Sequence, residues 1–339
     1  MTGSIMRKMD IPVPKVALSS ATGEGRGGWR LSALLVLAVF LVGWPLLLPN
    51  PFFLTVGTLI ALNAIGAASL HLIIRTGHIS LAHAAFVGVG AYACVLSVMT
   101  LGLPYWVGLL MGAGASGSLA LIIGPIVLRL TGKYFVLVTF LLGEIIRMVF
   151  VEWVPVTGGS NGIFGIPTAH PIVSTPHGQY YFVLAIAALC IGLCACILSS
   201  QIGRAMDAMR EAEQVAECAG VPVIRLKVTI FVLACGLAGV QGGLLAHFLR
   251  YIDPTAFGWV ESLNLVVMNV IGGMFHLAGP LIGTVFLVAF PEFLRGYVEL
   301  QRVIFGISII VVMAALPGGM VEIGARTRDI IAGARGRKR

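Results

Sequence analysis

An all-α, polytopic integral membrane protein is what this chain encodes, and three features say so. Of its 339 residues, 58% are hydrophobic and only 11% are charged, less than half the charged share of a soluble domain. The mean hydropathy is +0.99. Apolar runs recur from Arg30 to about residue 316, most of them close to the roughly 20 residues that a bilayer-crossing helix needs. The 43 glycines are scattered through these runs, where small residues let membrane helices approach closely.

Residues 1–29, with Pro12, Pro14, Ser19 and Ser20, read as a flexible basic tail. The apolar segment 30–48 lacks a small-residue cleavage site before Trp44-Pro45, so a retained anchor is expected rather than a signal peptide. Further segments fall at 52–74, 84–101, 104–128, 133–152, 180–199 and 227–249. Two shorter ones, 261–273 and 279–294, flank the run Gly272-Gly273-Met274-Phe275-His276-Leu277-Ala278-Gly279-Pro280. They predict a broken or re-entrant pair, whose irregular backbone must be buried or line a cavity. A tenth segment at 301–316 completes a transmembrane domain of 30–320, and 321–339 forms a second basic tail.

Orientation follows from lysine and arginine. With both termini inside, eighteen of the 22 basic residues are cytoplasmic, including Arg75, Arg129, Lys133, Arg204, Arg210, Arg225 and Lys227. Only Arg250, Arg295 and Arg302 fall outside, and Arg147 lies within a span. The positive-inside rule selects this topology. Trp44, Tyr105, Trp106, Trp153, Tyr180, Tyr181 and Trp259 then all sit at the outer interface, as aromatic belts do. The net charge of +8 is accordingly an orientation signal and an attraction to anionic lipid, not a nucleic-acid footprint.

One stretch breaks the apolar pattern. Within 201–220, Ile202, Ala205, Met206, Met209, Ala212, Val215, Ala216 and Ala219 recur at helical spacing. Arg204, Asp207, Arg210, Glu211, Glu213 and Glu217 occupy the remaining surface, Gly220 fits a C-terminal cap, and Pro222 prevents continuation. A bare connector needs only a few residues. Mixed charge and the absence of aromatics favour a face that docks another protein over one that lies on lipid.

The run IGRAMDAMREAEQVAECAG followed by VPVIRLKVTIFVLACGLAG resembles the coupling segment of branched-chain amino acid ABC transporter permeases of the LivM-like kind. GHISLAHAAFVGVGAY (77–92), GKYFVLVTFLLGEIIR (132–147), TGGSNGIFGIP (157–167) and GGMFHLAGPLIG (272–283) agree in order, so the resemblance covers roughly residues 52–320. It implies an importer permease in a bacterial inner membrane. The expected partners are a second, homologous permease subunit, two cytoplasmic ATPase subunits and an extracytoplasmic substrate-binding protein. No cofactor is expected on this chain, with ATP and Mg held by the partners. Arg204, Asp207, Arg210, Glu211, Glu213, Glu217 and Gly220 are then the ATPase-coupling residues. The sequence departs from the family pattern at Asn269, Phe275 and His276. The chain has no G-x-x-x-x-G-K-[ST] loop, since Gly132-Lys133 is followed by Tyr134.

Glu144 and Arg147 are the ionisable residues placed within a span. Glu144 is 11 residues beyond Lys133, hence roughly 16 Å deep. Two readings stand: an i,i+3 pair that locks packing, or a polar element of the pathway or subunit interface. Asn269, Gly272, Gly273, His276, Gly279 and Pro280 are the other pathway or gate candidates. Thr157, Gly158, Gly159, Ser160 and Asn161 form either an outer contact for an incoming ligand or its binding protein, or a turn. His78 and His83 in the GHISLAH bend read as packing and loop-capping groups. Cys190, Cys194 and Cys196 share a segment without His, Asp or Glu to complete a metal site, so they read as packing residues. No Ser/His/Asp set or carboxylate pair suggests catalysis. A urea or short-amide importer is the nearest alternative, and an ion-coupled secondary transporter a more distant one, since that class uses several intramembrane carboxylates.

Overall fold

The computed structural model describes residues 51–168 and 175–293, with scattered positions between 303 and 320. The tails 1–29 and 321–339 and the anchor 30–48 lie outside the described residues, as does most of segment 301–316. The remaining eight apolar segments are helices: α1 (Pro51–Arg75), α2 (His83–Met99), α3 (Tyr105–Val127), α4 (Gly132–Glu152), α6 (Pro176–Ser199), α9 (Val223–Leu249), α10 (Trp259–Gly272) and α11 (Ala278–Phe293). Single-turn α5 (Val154–Thr157) follows α4, while α7 (Gln201–Glu211) and α8 (Glu213–Cys218) lie between α6 and α9. Five helices, α1, α3, α4, α6 and α9, are long and apolar enough to cross a membrane; α2, α10 and α11 are shorter. The chain is an all-α integral membrane protein, and five is the number of full-length spans among the described residues.

Helix α9 is the hub, packing on α1, α2 and α3. Its glycines set the distance. A Cβ on Gly242 would run into the Val87 carbonyl of α2, and one on Gly90 into the backbone of Gly239. Such backbone-to-backbone approach is how membrane helices gain dispersion contact when lipid is as apolar as their own side chains. Helix α6 covers α1, with the fully buried Tyr180 ring seated against Gly57. The outer faces of α3 and α4 expose Leu110, Ile122, Ile126, Leu137 and Ile145, as lipid-facing or subunit-facing helices must.

The loops gather at two ends. One end collects the bend 76–82, the α3–α4 connection and the α7–α8 segment, which share one recess. At the other, β1 (Ile163–Phe164) pairs antiparallel with β2 (Tyr251–Ile252), Ile163 opposite Ile252, and Phe164 stacks on Tyr251. The segment 201–220, expected as one helix, is two. Ala212 leaves helical geometry at φ −155° and ψ 91°. That break starts α8 at Glu213, where its carboxylate reaches Lys227 of α9. Met206, Met209 and Ala216 stay buried across it. Gly220 takes φ +88°, and Val221 N–H donates to Ala216 O at 3.1 Å, the expected left-handed cap.

The pair α10–α11 is a hairpin closed by five residues, 273–277. Its glycines serve contact between the two helices: a Cβ on Gly272 would meet the Gly279 backbone, and one on Gly283 the Met268 carbonyl. Gly273 adopts φ +121°, open only to glycine.

Candidate functional site: the α7–α8 surface and the Glu144–Arg147 face

The six charged residues of the α7–α8 segment divide into two sets. Arg204, Glu211 and Glu217 are exposed. Around them Ile202, Ala208, Gln214 and Val215 are exposed too, Val215 to 68%. Asp207, Arg210 and Glu213 turn back onto the bundle, each to a different place. Asp207 pairs with Arg75, the last residue of α1. The Arg210 guanidinium lies 4.8 Å over the Phe275 ring in the α10–α11 bend, a cation–π geometry. Glu213 Oε1 accepts from Lys227 Nζ at 2.7 Å, and Lys227 is only 2% exposed.

Arg75 joins two of these ties. While paired with Asp207, its Nη1 donates to Phe275 O at 2.8 Å. The α7–α8 segment is thus held to the end of α1, the start of α9 and the α10–α11 bend. Between it and the bundle lies a recess of ≈180 Å³ lined by Thr76, Gly77, His78, Thr131, Gly132, Met209, Arg210 and Glu213. His78 packs edge-on against Phe135 at 4.7 Å, and its Nδ1 donates to Thr76 O at 3.1 Å. Burial, aided by the nearby Lys227 ammonium, holds its pKa below the ordinary histidine value. His83 Nε2 meets Ser69 Oγ at 2.8 Å, so both histidines of the GHISLAH bend pack and tie the bend.

Asn269 is fully buried and bridges two helices. Its Nδ2 donates to Ala67 O of α1 at 3.0 Å and to Leu265 O at 2.9 Å, and its Oδ1 accepts from His71 Nδ1 at 3.1 Å. Gly272, Gly273, Gly279 and Pro280 are buried beside it, whereas His276 is exposed in the bend.

Glu144 and Arg147 form the i,i+3 pair, with Nε to Oε2 at 2.8 Å. Glu144 Oε1 also faces the N–H of Trp259, at 3.4 Å, where α10 begins. This pair and Asn269 are not brought together: ten residues of α10 separate Trp259 from Asn269, about 15 Å along the axis. At the same end, Thr157 is a buried brace, its Oγ1 donating to Phe150 O at 2.6 Å. Gly158 and Gly159 both take positive φ, which makes that part of the loop a turn. Ser160 and Asn161 are exposed.

Over residues 52–313 the chain matches the family described as branched-chain amino acid transport system / permease component. The chain belongs to that family. This permease is 27% identical over 320 residues to the high-affinity branched-chain amino acid transport system permease protein LivM of Escherichia coli, covering 86% of this chain and 74% of that one. The LivM of Salmonella typhimurium matches to the same extent. The L-arabinose ABC transporter permease protein AraH of Azospirillum brasilense is 26% identical over 312 residues, covering 84% of this permease and 86% of AraH. No solved structure matches. The permease is therefore an ABC-type transport component.

Sequence reasoning passed over Arg75, Lys227 and Phe275 as site residues. Arg75 and Lys227 entered only as topology charges. The available signal was their place: each of the two stands at the edge of an apolar segment, and the stretch 201–220 carries four carboxylates.

Proposed function

We propose that this chain is one of two homologous permease subunits of an ATP-driven importer for leucine, isoleucine or valine in a bacterial inner membrane. Its membership of the permease family over 52–313 carries the reading. The chain has no phosphate-binding loop of its own, so ATP and Mg belong on two ATPase subunits. Arg204, Glu211 and Glu217 with Val215 offer them a docking face, and a binding protein delivers substrate at the opposite end, where Ser160 and Asn161 are exposed. On this reading the α7–α8 end is cytoplasmic. ATPase movement passes through Asp207, Arg210 and Glu213 into α1, the α10–α11 bend and α9. One relative is named for L-arabinose; the two LivM relatives favour branched-chain amino acids. Tagged permease purified from its native membrane should retain ATPase subunits and a second permease. Reconstituted with the binding protein, it should take up leucine, isoleucine or valine only with ATP. Uptake by the isolated chain driven by an ion gradient would reject this reading in favour of a secondary transporter, and ATP-dependent uptake of urea without amino acids would reject the cargo.

A further inference from the structure

We infer that Glu144 and Arg147 form a slot for a zwitterion, with the Glu144 carboxylate taking the α-ammonium and the Arg147 guanidinium taking the α-carboxylate of a free amino acid. The inference rests on the reading of the permease as an amino-acid importer and deepens it to named contacts.

The internal pair leaves most of each group's bonding capacity unused. Arg147 gives only Nε to Glu144, and neither Nη has a protein partner among the described residues. The two Nη groups are the half of the planar fork that grips a carboxylate through parallel hydrogen bonds. Among the described residues Glu144 Oε1 has only the 3.4 Å approach of Trp259 N, so it retains acceptor capacity. The side chains are 27% and 19% exposed, sunk but reachable from outside the bundle. Twelve residues past Gly132, Glu144 stands about 18 Å along α4, where an ionisable pair is costly to keep in place of an apolar one.

The surroundings suit an aliphatic amino acid. Phe140 and Trp259 meet edge to face at 5.9 Å beside the pair, and Trp259 is 43% exposed, giving an apolar wall for the side chain. Gly258 leaves the approach open, for a Cβ there would stand 3.6 Å from Arg147 Cδ and 4.0 Å from Glu144 Oε1. Two opposite charges held side by side, each partly exposed, complement the reversed charges of a zwitterion. A sugar or urea carries no formal charge to match them.

The test is initial ATP-dependent leucine uptake by the complete transporter with its binding protein in proteoliposomes, normalised to permease in the membrane. Glu144→Gln keeps the side-chain shape and one acceptor oxygen, which can face Arg147 Nε–H, and removes the charge at the loss of the long Trp259 N–H approach. Arg147→Lys keeps the charge and removes the fork. Each should lower uptake by about tenfold or more, the equivalent of one lost charge-assisted hydrogen bond. The exchange Glu144→Arg with Arg147→Glu restores an internal ion pair but inverts the slot, and uptake should stay low. Near-normal uptake in both single variants, or recovery in the exchanged pair, would overturn the slot and leave a packing lock. Wild-type transporter that imports a sugar or amide but no amino acid would instead bring down the functional reading, and the slot with it.

Discussion

At the scale of single residues, the ion pair that matters most to the fold is the one whose cation is most deeply buried. Lys227 has 2% of its side chain exposed and, among the described residues, one acid partner, Glu213, which is 40% exposed. Removing the partner of a buried charge costs more than the pair contributes, because the remaining charge has nowhere to go. Glu213→Ala should therefore destabilise the permease by about 3 kcal/mol, the low end of that range because Glu213 itself is partly solvated. Adding Lys227→Met should recover most of the loss, as measured by thermal denaturation of the detergent-solubilised protein. A double variant no more stable than Glu213→Ala alone would refute that assignment. Asn269 invites the opposite kind of test. Two of its three hydrogen bonds, to His71 and Ala67, close the α1–α10 contact, at about 0.6 kcal/mol per bond in a membrane protein. Asn269→Leu should lower membrane abundance and thermal stability while leaving the rank order of transported amino acids unchanged. A changed rank order at normal abundance would put Asn269 on the path after all.

At the scale of elements, the α7–α8 segment shows what a helical pattern conveys and what it omits. Periodicity alone located the segment, its cap at Gly220 and the buried Met206, Met209 and Ala216. It could not show the break at Ala212, since alanine is the best helix former and the break answers a tertiary demand, the reach of Glu213 to Lys227. Nor could spacing divide the charges, because which face turns inward depends on Arg75, Phe275 and Lys227, residues far away in sequence. That division makes a distinct prediction. Reversing the exposed pair, Arg204→Glu with Glu211→Lys, should leave the permease folded and abundant yet reduce the ATPase subunits that co-purify with it. The inward variant Asp207→Asn should retain those subunits but weaken the coupling of ATP hydrolysis to uptake, since it frees Arg75 from α7. Equal retention of ATPase subunits by the reversed pair and by the wild type would remove the docking role from the exposed face.

At the scale of the whole molecule, hydropathy was the dependable guide because lipid forces every backbone group to be satisfied within a helix. Each of the eight expected segments within the described residues is a helix, with limits within about four residues of the expected ones. The candidate site was less legible. Glu144 and Arg147 stood out as charges in a span, but their neighbours Phe140, Gly258 and Trp259 come from two distant stretches that only the packing of α4 on α10 unites. The structure separates two sets of loops to opposite ends of the helices, while the positive-inside rule predicts which of those ends is cytoplasmic. Single cysteines at Ala212 and Ser160 join the two statements, since both positions are exposed and they lie at different ends. Four native cysteines, Cys94, Cys190, Cys194 and Cys235, are buried and can stay, sparing the core; exposed Cys218 lies beside Ala212 and must be replaced, as must Cys196. An impermeant thiol reagent added to intact cells should label the cysteine at position 160, and the one at 212 only after the membrane is opened. Labelling of both in intact cells would break the odd number of crossings between α4 and α7, and labelling of 212 alone would invert the whole protein in its membrane.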